Sequence, residues 1–255
     1  MKTGAIILCR TTSRRFPGKI LEQIHKDISL LEYVIKSVKM CSQINTIVIA
    51  TTYSSRSQEI ESICDRMDVE IYYGSENNVF DRFSSAALEY KLDIVARINA
   101  DCPFILPKVI DYCFCVLRKS GADYVSTILH ETFPIGLHVE VLKSEVFRKI
   151  EQSKLTDHEL EHVTPFIYNN PKIFKLFSLR CFSNYSNIRL TIDYPEDLEF
   201  CKLFAEKINI TDATSVRDLI HVYDRILQKS DYEPITKSQN MLISDAAIDY
   251  EFLLD

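Results

Sequence analysis

Short apolar runs alternate with stretches of helical periodicity through the first half of the chain. The runs are rich in Ile, Val and Ala, which is typical of strands that are buried on both faces. They predict strands at residues 5–9, 46–50, 69–73, 93–98 and 123–127. Between them, apolar residues share one helical face within residues 30–38, 60–67 and 109–117. This alternation predicts an α/β fold with a mostly parallel sheet and helices on both of its faces.

The second half of the chain is less regular. Alternating or β-rich patterns predict strands at residues 137–142, 174–179 and 189–192. A capping box that begins at Thr156 predicts a helix towards Tyr168.

Two further helices and a tail complete the predicted organisation. Pro195 is suited to the first turn of a helix, and Ser215 opens a last helix through Gln228. From Asp231 the pattern fades, in a segment with six acids and one lysine. We therefore predict one domain over residues 1–230 and a peripheral acidic tail over residues 231–255.

Composition excludes several classes of protein. The chain has 255 residues, is 46% hydrophobic and carries a formal net charge of −6. Such an acidic balance argues against general nucleic-acid binding, which depends on neutralising phosphates. Since no apolar run approaches ~18 residues, no membrane span is predicted. The first strand begins at once without a signal peptide, so a cytoplasmic location is expected.

The eight cysteines do not have the spacing of a disulfide framework or a zinc site. There is no CxxC pair, and Cys64, Cys113 and Cys201 fall on apolar helical faces. Cys113 and Cys115 are two residues apart and would point to different sides of a helix. Reduced thiols are the interpretation that fits this pattern.

Residues 9–19, named here the cationic loop, follow the first predicted strand. They contain Arg10, Arg14, Arg15 and Lys19 and no acidic residue. A cationic loop at a strand end is where an open α/β sheet binds a ligand, and its Arg forks and N–H groups suit a polyphosphate. The loop lacks the Walker A and GxGxxG spacings. The alternative is a solvated surface turn.

Two predicted strands each deliver an aspartate to their carboxyl end, namely Asp101 and Asp193. A carboxylate beside a phosphate site is repulsive unless a divalent cation lies between them, and Mg²⁺ is usually held by one or two carboxylates plus phosphate oxygens. Simpler roles are open for both residues. Asp101 would cap the next helix or pair with Arg97, and Asp193 would cap the helix that starts at Pro195.

Residues 161–168 contain His162 and Tyr168, which are candidates for contact with an acceptor substrate. A single His in a helix is more often structural. His158 and His162 are four residues apart, but the order HELEH is not the HExxH pattern of zinc proteases.

The order of these motifs along the chain is informative. The cationic loop is followed by Ala50-Thr51, by a G-x-E-x-x-V-x-D-R segment at 74–82 and by R-x-x-x-D-C-P at 97–103. Then come P-x-G-x-x-V-E-V at 134–141, E-H-V-T-P at 161–165 and L-T-x-D-x-P-E-D at 190–197. Over residues 3–228 the chain resembles the cytidylyltransferases that activate sugars: the acylneuraminate and 3-deoxy-manno-octulosonate enzymes, and most nearly the spore-coat polysaccharide branch.

This resemblance implies a single-domain, Rossmann-like nucleotide-diphospho-sugar transferase fold (GT-A-like) and transfer of CMP from CTP to a sugar-type acceptor, with Mg²⁺ as cofactor and a homodimer as assembly. It also implies four groups of site residues. Those for catalysis are Arg10, Lys19 and Asp101. Those for the nucleotide are Leu8, Arg10, Ser13, Arg14, Lys19, Thr51 and Arg97, with Thr51 near the cytosine. Those for Mg²⁺ are Asp101 and Asp193. Those for the acceptor are His138, Glu140, His162 and Tyr168. His138 departs from the branch, which usually has Asp there, and this leaves the identity of the acceptor open.

Two other functions fit part of the pattern. A metal-dependent glycosyltransferase has a related nucleotide-sugar-binding fold, but such enzymes usually present Asp-x-Asp, where this chain has Asn99-Ala100-Asp101. A nucleotide-binding protein without catalysis is the second alternative, and the presence of every charged motif position argues against it.

Overall fold

The central sheet and a small hairpin contain ten strands among the residues that the structure describes. The structure is a computed structural model that describes residues 1–151, 153–211, 214–228 and 251–254. The strands are β1 (Thr3–Leu8), β2 (Gln23–His25), β3 (Ile28–Ser29), β4 (Thr46–Thr51), β5 (Glu70–Tyr73), β6 (Ile94–Asn99), β7 (Tyr124–Ser126), β8 (Glu140–Lys143), β9 (Leu176–Cys181) and β10 (Glu251–Leu254).

Nine α-helices are present in the same described ranges. They are α1 (Leu30–Lys39), α2 (Ser57–Met67), α3 (Val79–Glu89), α4 (Pro107–Ser120), α5 (Glu145–Ile150), α6 (Asp157–His162), α7 (Pro165–Tyr168), α8 (Pro195–Ala205) and α9 (Val216–Leu227). In this part of the chain no helix has the length and apolar character needed to cross a membrane.

Eight strands form one sheet in the order β10-β9-β7-β8-β6-β1-β4-β5, and β2 and β3 form a separate antiparallel pair. Strand β8 runs antiparallel to both of its neighbours, β6 and β7, and all other neighbouring pairs in the large sheet are parallel. The carboxyl ends of β1, β4 and β6 therefore meet at one edge of the sheet, together with the amino end of β8.

Helices cover both faces of this sheet, because successive strand residues point to opposite sides. In β1, Ala5 and Ile7 pack into a core with α1, α2, α4, α8 and α9. Ile6 and Leu8 pack into a second core with α3, α5 and α7. The predicted α/β class, the mostly parallel sheet and its two helical layers are thus confirmed.

The strand predicted at residues 189–192 does not form. Only Arg189 makes an isolated parallel bridge, with Ile135. The backbone here bonds to loops instead: Leu190 N–H donates to Ile135 (2.7 Å), and Ile192 N–H donates to the carbonyl of Asp101 (2.9 Å). The β-rich composition reflects burial in an irregular segment that is tied to the end of β6.

The predicted helix from Thr156 to Tyr168 is two short helices. Its capping box is present, with Thr156 and Glu159 bonded reciprocally. The first helix ends at His162, because the next residue, Val163, has a φ of 74°. Pro165 then starts the second helix, since a proline has no N–H to continue the first one. The predicted strand at 137–142 also starts late, at Glu140, since the Thr127 hydroxyl takes the N–H of Val139 (2.9 Å).

The predicted acidic tail lies mostly outside the described residues. Of the predicted tail, only the backbone of 251–254 is described, and it adds β10 parallel to β9 at the sheet edge. Helix α3 was not predicted. The eight cysteines are free thiols, with Cys113 buried and Cys115 partly exposed, as the helical pattern indicated.

Gly136 is expected to be intolerant of a side chain. Its φ is 105°, and a Cβ there would lie 2.6 Å from the carbonyl carbon and oxygen of Leu190. We expect Gly136→Ala to lower the free energy of unfolding by about 1–3 kcal/mol, because strain and overlap act together. Gly121→Ala is the matched control, since Gly121 also has a positive φ but has no atom within 4 Å of the added Cβ. Urea unfolding measures both variants. Equal losses in the free energy of unfolding would contradict the prediction.

Candidate active site

The cationic loop leaves the carboxyl end of β1 and returns through a tight turn at Gly18. The φ of Gly18 is 75°, and its N–H donates to the carbonyl of Thr11 (2.8 Å). A short 3₁₀ turn, Lys19–Leu21, follows directly. This turn directs the chain back towards the sheet, so that the Lys19 side chain extends beneath the loop and is only 8% exposed.

The ammonium of Lys19 is surrounded by oxygen atoms from two strand-end segments. Its Nζ donates to Asp101 Oδ2 (2.8 Å) and to the carbonyl of Ile192 (2.5 Å), and it lies 3.4 Å from Asp193 Oδ1. We call these three groups the oxygen cage. The two aspartates that the sequence placed at strand ends thus meet at one cation, although the second of them follows an irregular segment rather than a strand.

The capping roles considered for the two aspartates are not observed. Helix α8 is capped by Asp197, whose Oδ2 accepts the N–H groups of Asp193 (2.7 Å) and Tyr194 (2.9 Å). Helix α4 begins after Leu106 without a side-chain cap. Asp101 therefore does not cap the next helix, and its cationic partner is Lys19.

Asp193 is held in place by several cations. Arg189 Nη2 contacts its Oδ2 at 2.6 Å, and Arg15 and Lys19 both approach its Oδ1. Burial alone would raise the pKa of Asp193, but the hydrogen bond from Arg189 and the charges of Lys19 and Arg15 outweigh it, so the pKa is lowered. Asp193 is therefore anionic at neutral pH.

The outer part of the cationic loop has unused positive charge. Arg10 and Arg14 make no ion pair with any described residue, and the N–H groups of residues 10–16 make no hydrogen bond to the described part of the chain. Thr11 and Thr12 instead fix the loop through their hydroxyls, to Ser54 (2.9 Å) and to Glu76 (2.6 Å). Free N–H groups and free guanidinium groups on a fixed loop form a site suited to an anion.

The remaining predicted nucleotide residues lie at the same edge of the sheet. Ser13 is partly buried within the loop, Leu8 is buried at the end of β1, and the side chain of Thr51 at the end of β4 is fully buried. The Thr51 hydroxyl is therefore not exposed to solvent in this conformation. Its predicted contact with cytosine stays a prediction.

Arg82 is a cation that the motif pattern contained but that we did not assign to the site. It is buried on α3, and its Nη1 donates to the carbonyl of Ser75 (2.5 Å). Burial lowers its pKa, and Arg10 is close enough to lower it further. Gly74 permits this position, since a Cβ there would lie 2.7 Å from Arg82 Cγ. The arginine that ends the G-x-E-x-x-V-x-D-R segment is the sequence feature that could have assigned Arg82 to the site.

Arg97 and Glu140 form a buried ion pair where β6 and β8 lie side by side. Glu140 is 2% exposed, and it also accepts hydrogen bonds from Tyr124 Oη (2.6 Å) and from the Thr164 hydroxyl. The three donors come from β6, from β7 and from the residue that precedes α7. Tyr124 and Thr164 were not among the predicted site residues, because their meeting depends on the antiparallel insertion of β8.

Arg97 was predicted to bind the nucleotide, and that role stays a prediction. The predicted acceptor residues His138, His162 and Tyr168 lie close to the Arg97–Glu140 pair. Burial lowers the pKa of His138, with Glu140 and Arg97 acting in opposite directions, and burial with the nearby His158 lowers the pKa of His162. Both imidazoles are therefore neutral above their usual pKa of ~6.5. Tyr168 is 6% exposed, and burial raises its pKa. These side chains form one cluster. Their contact with an acceptor stays a prediction.

Removing Glu140 is expected to destabilise the fold, because it would leave Arg97 buried without a counter-charge. For Glu140→Ala we expect a loss of about 3–5 kcal/mol in the free energy of unfolding, as for other broken buried pairs. Glu199→Ala removes one partner of an exposed pair with Lys202 and should lose at most about 1 kcal/mol. Denaturant titration measures both, and similar losses would contradict a buried pair.

A family model and individual related proteins each match most of this chain. The family model described as "Cytidylyltransferase" matches residues 4–219. An uncharacterized protein of Methanocaldococcus jannaschii is 34% identical over 88% of this chain and 91% of its own length. The spore coat polysaccharide biosynthesis protein SpsF of Bacillus subtilis is 28% identical over 86% of this chain and 93% of its own.

The fold is also similar to that of a solved structure. A cytidylyltransferase from Leptospira borgpetersenii superposes with a TM-score of 0.82 at 29% identity, and covers 88% of this chain and 94% of that one.

Proposed function

Because this chain belongs to the cytidylyltransferase family, we propose that it transfers CMP from CTP to a sugar, a sugar acid, or a sugar or polyol phosphate, making an activated sugar for surface polysaccharide synthesis. An acceptor oxygen would attack the α-phosphorus of CTP, a new phosphorus–oxygen bond would form, and the bond to pyrophosphate would break. The observation that carries the proposal is the convergence of Lys19, Asp101 and Asp193 beneath a loop with free cations.

The cationic loop would bind the triphosphate. Arg10, Arg14 and the free N–H groups of residues 10–16 offer fixed donors to phosphate oxygens. Charge that develops on those oxygens during transfer is stabilised most by donors that need no reorganisation. Arg82 would add a buried positive charge behind the loop.

The oxygen cage fits Mg²⁺. Two carboxylates and a backbone carbonyl already surround a cation, the ammonium of Lys19, and oxygen ligands are the ones that Mg²⁺ prefers. Asp101 and Asp193 would hold the ion, which when bound would neutralise charge on the phosphates. The hydrogen bond from Arg189 helps to lower the pKa of Asp193, which supports a carboxylate that is anionic and able to bind a cation at neutral pH.

The acceptor would lie on the side of β8. The neutral imidazoles of His138 and His162 are able to accept a proton from a sugar hydroxyl, which would give a CMP-sugar. A phosphate acceptor needs no strong base, since it is already largely dianionic near neutral pH, and it would give a CDP-linked product.

The two other functions fit less well. A glycosyltransferase would present Asp-x-Asp at the end of β6, where this chain has Asn99-Ala100-Asp101. A binding protein without catalysis would not need an anionic pair at the phosphate end.

We further propose a homodimer, which light scattering after gel filtration would test.

CTP is expected to be the preferred nucleotide over UTP, ATP and GTP, as the family indicates. Pyrophosphate release is the measurement, with each nucleotide alone and with panels of acidic sugars, neutral sugars and polyol phosphates. Release only with CTP and one acceptor class would support the proposal and identify the acceptor. A larger thermal shift with UTP or ATP than with CTP would contradict the choice of base, and release of a nucleoside diphosphate from a nucleotide-sugar would indicate the glycosyltransferase.

A further inference from the structure

Lys19 has two tasks that its position does not allow at the same time. Its ammonium lies inside the oxygen cage, where it contacts Asp101, Ile192 and Asp193. The same side chain is the expected partner of the triphosphate. A divalent cation would need the same carboxylate oxygens that now face the ammonium.

We infer that Lys19 is an exchangeable cation: it occupies the metal position in the nucleotide-free protein and leaves it when the triphosphate binds, so that the divalent cation can enter. The inference rests on the proposed function, since it assumes that triphosphate and metal bind here.

Electrostatics favours an exchange over a simple addition. Asp101 and Asp193 are 29% and 14% exposed in their side chains, and both lie within 3.4 Å of the same Nζ. Of these two carboxylates, Arg15 and Arg189 contact only Asp193, whereas Lys19 contacts both. The ammonium therefore compensates their mutual repulsion and stabilises the nucleotide-free fold. A divalent ion added beside that ammonium would in turn be repelled by it. Only one of the two cations is favourable in the cage at a time.

The phosphate loop gives Lys19 a second set of partners. The free donors of the cationic loop would bring a triphosphate to the residues that precede Gly18. The ammonium would then exchange carboxylate oxygens for phosphate oxygens, and its charge would stay compensated. Arg189 would continue to hold Asp193 through Oδ2 at 2.6 Å. Oδ1, which Arg15 also contacts, is then the oxygen that exchanges the ammonium for the divalent cation.

Two binding properties follow. The nucleotide-free protein should bind Mn²⁺ or Mg²⁺ weakly, although it has a suitable set of ligands. Triphosphate and metal should also strengthen each other's binding by the same factor, because linkage is reciprocal.

The decisive test measures Mn²⁺ binding without nucleotide, by electron paramagnetic resonance of the free ion. Lys19→Met leaves the carboxylates without their ammonium and should bind Mn²⁺ about tenfold more tightly than the parent, within the range typical of coupled sites. Lys202→Met is the matched control, since Lys202 also pairs with a carboxylate at 2.8 Å, but at the surface. It should not change Mn²⁺ affinity.

A second substitution assigns the new site. In Lys19→Met with Asp101→Asn, the gained affinity should be lost. Lys19→Gln replaces Lys19→Met in this test if the Met variant does not fold. Added Mg²⁺ should raise the melting temperature of Lys19→Met or Lys19→Gln more than that of the parent.

The outcomes separate this inference from the proposed function. If Lys19→Met and Lys19→Gln both bind Mn²⁺ no better than the parent, the exchange is wrong, whether or not the parent releases pyrophosphate from CTP. If the variants gain Mn²⁺ affinity but the parent shows no nucleotide turnover, the cation exchange stands and the proposed reaction fails.

Discussion

Asp101→Asn is expected to reduce turnover by about two to three orders of magnitude while the protein keeps its fold. The carboxylate is the least buried member of the oxygen cage, and Lys19 would keep two oxygen partners without it, so the folded state should lose little. The reaction should lose much more, because losing one preorganised electrostatic group at a reacting phosphate or carbonyl typically has an effect of this size.

Asp111→Asn is the matched control for this prediction. Unlike Asp101, Asp111 has a purely structural role: its carboxylate accepts the N–H groups of Ser42 (2.8 Å) and Gln43 (2.9 Å). This change should lower stability by about 0.5–2 kcal/mol, as the loss of a cap does, and leave turnover nearly intact. If Asp101→Asn behaved in the same way, the metal role of Asp101 would be wrong.

Asp193→Asn should lower turnover in the same direction and weaken its dependence on Mg²⁺. It should also lower stability more than Asp101→Asn does, because Arg15, Lys19 and Arg189 all lose charge compensation. Melting temperature and pyrophosphate release, measured over a range of Mg²⁺ concentrations, separate the two effects.

Lys19→Met is expected to weaken the binding of CTP far more than that of CMP. A charge-assisted contact is worth roughly 1.5–3 kcal/mol, which corresponds to about tenfold to more than a hundredfold in affinity. CMP lacks the phosphates that the lysine would contact and should lose little. Calorimetry with both nucleotides provides the comparison.

Arg10→Ala gives an independent measurement of the same site. Arg10 has no ion pair among the described residues, so its removal leaves no buried charge behind, and a change in CTP affinity then reports contact with the nucleotide. If both variants bound CTP as tightly as the parent, the cationic loop would be an ordinary solvated turn.

The elements that were predicted well are those whose formation depends mainly on one local property of the sequence. Strands β1, β4 and β6 are buried on both faces, and their runs of Ile, Val and Ala therefore show directly in the sequence. The meeting of Asp101 with the cationic loop also followed from a general rule, because parallel strands deliver their carboxyl ends to one edge.

The elements that were missed depend on contacts distant in sequence. Residues 189–192 have a strand-like composition, but their hydrogen bonds are taken by Ile135 and Asp101. The partners of Glu140 could not be predicted, since they follow from β8 lying between β6 and β7. That Lys19 extends into the sheet edge rather than into solvent is set by the turn at Gly18, which no periodicity reveals.

The antiparallel strand β8 also has a consequence for how enzymes of this design diversify. It brings Glu140, near the end of the 134–141 motif, to the same edge as the ends of the parallel strands, but on the opposite flank of β6 from the cationic loop. Under the proposed function, the residues of one flank could change while the chemistry on the other is retained, with β6 as the shared boundary. Chimeras that exchange β7 and β8 but keep Glu140 as the partner of Arg97 would then be expected to accept new acceptors without a change in nucleotide binding.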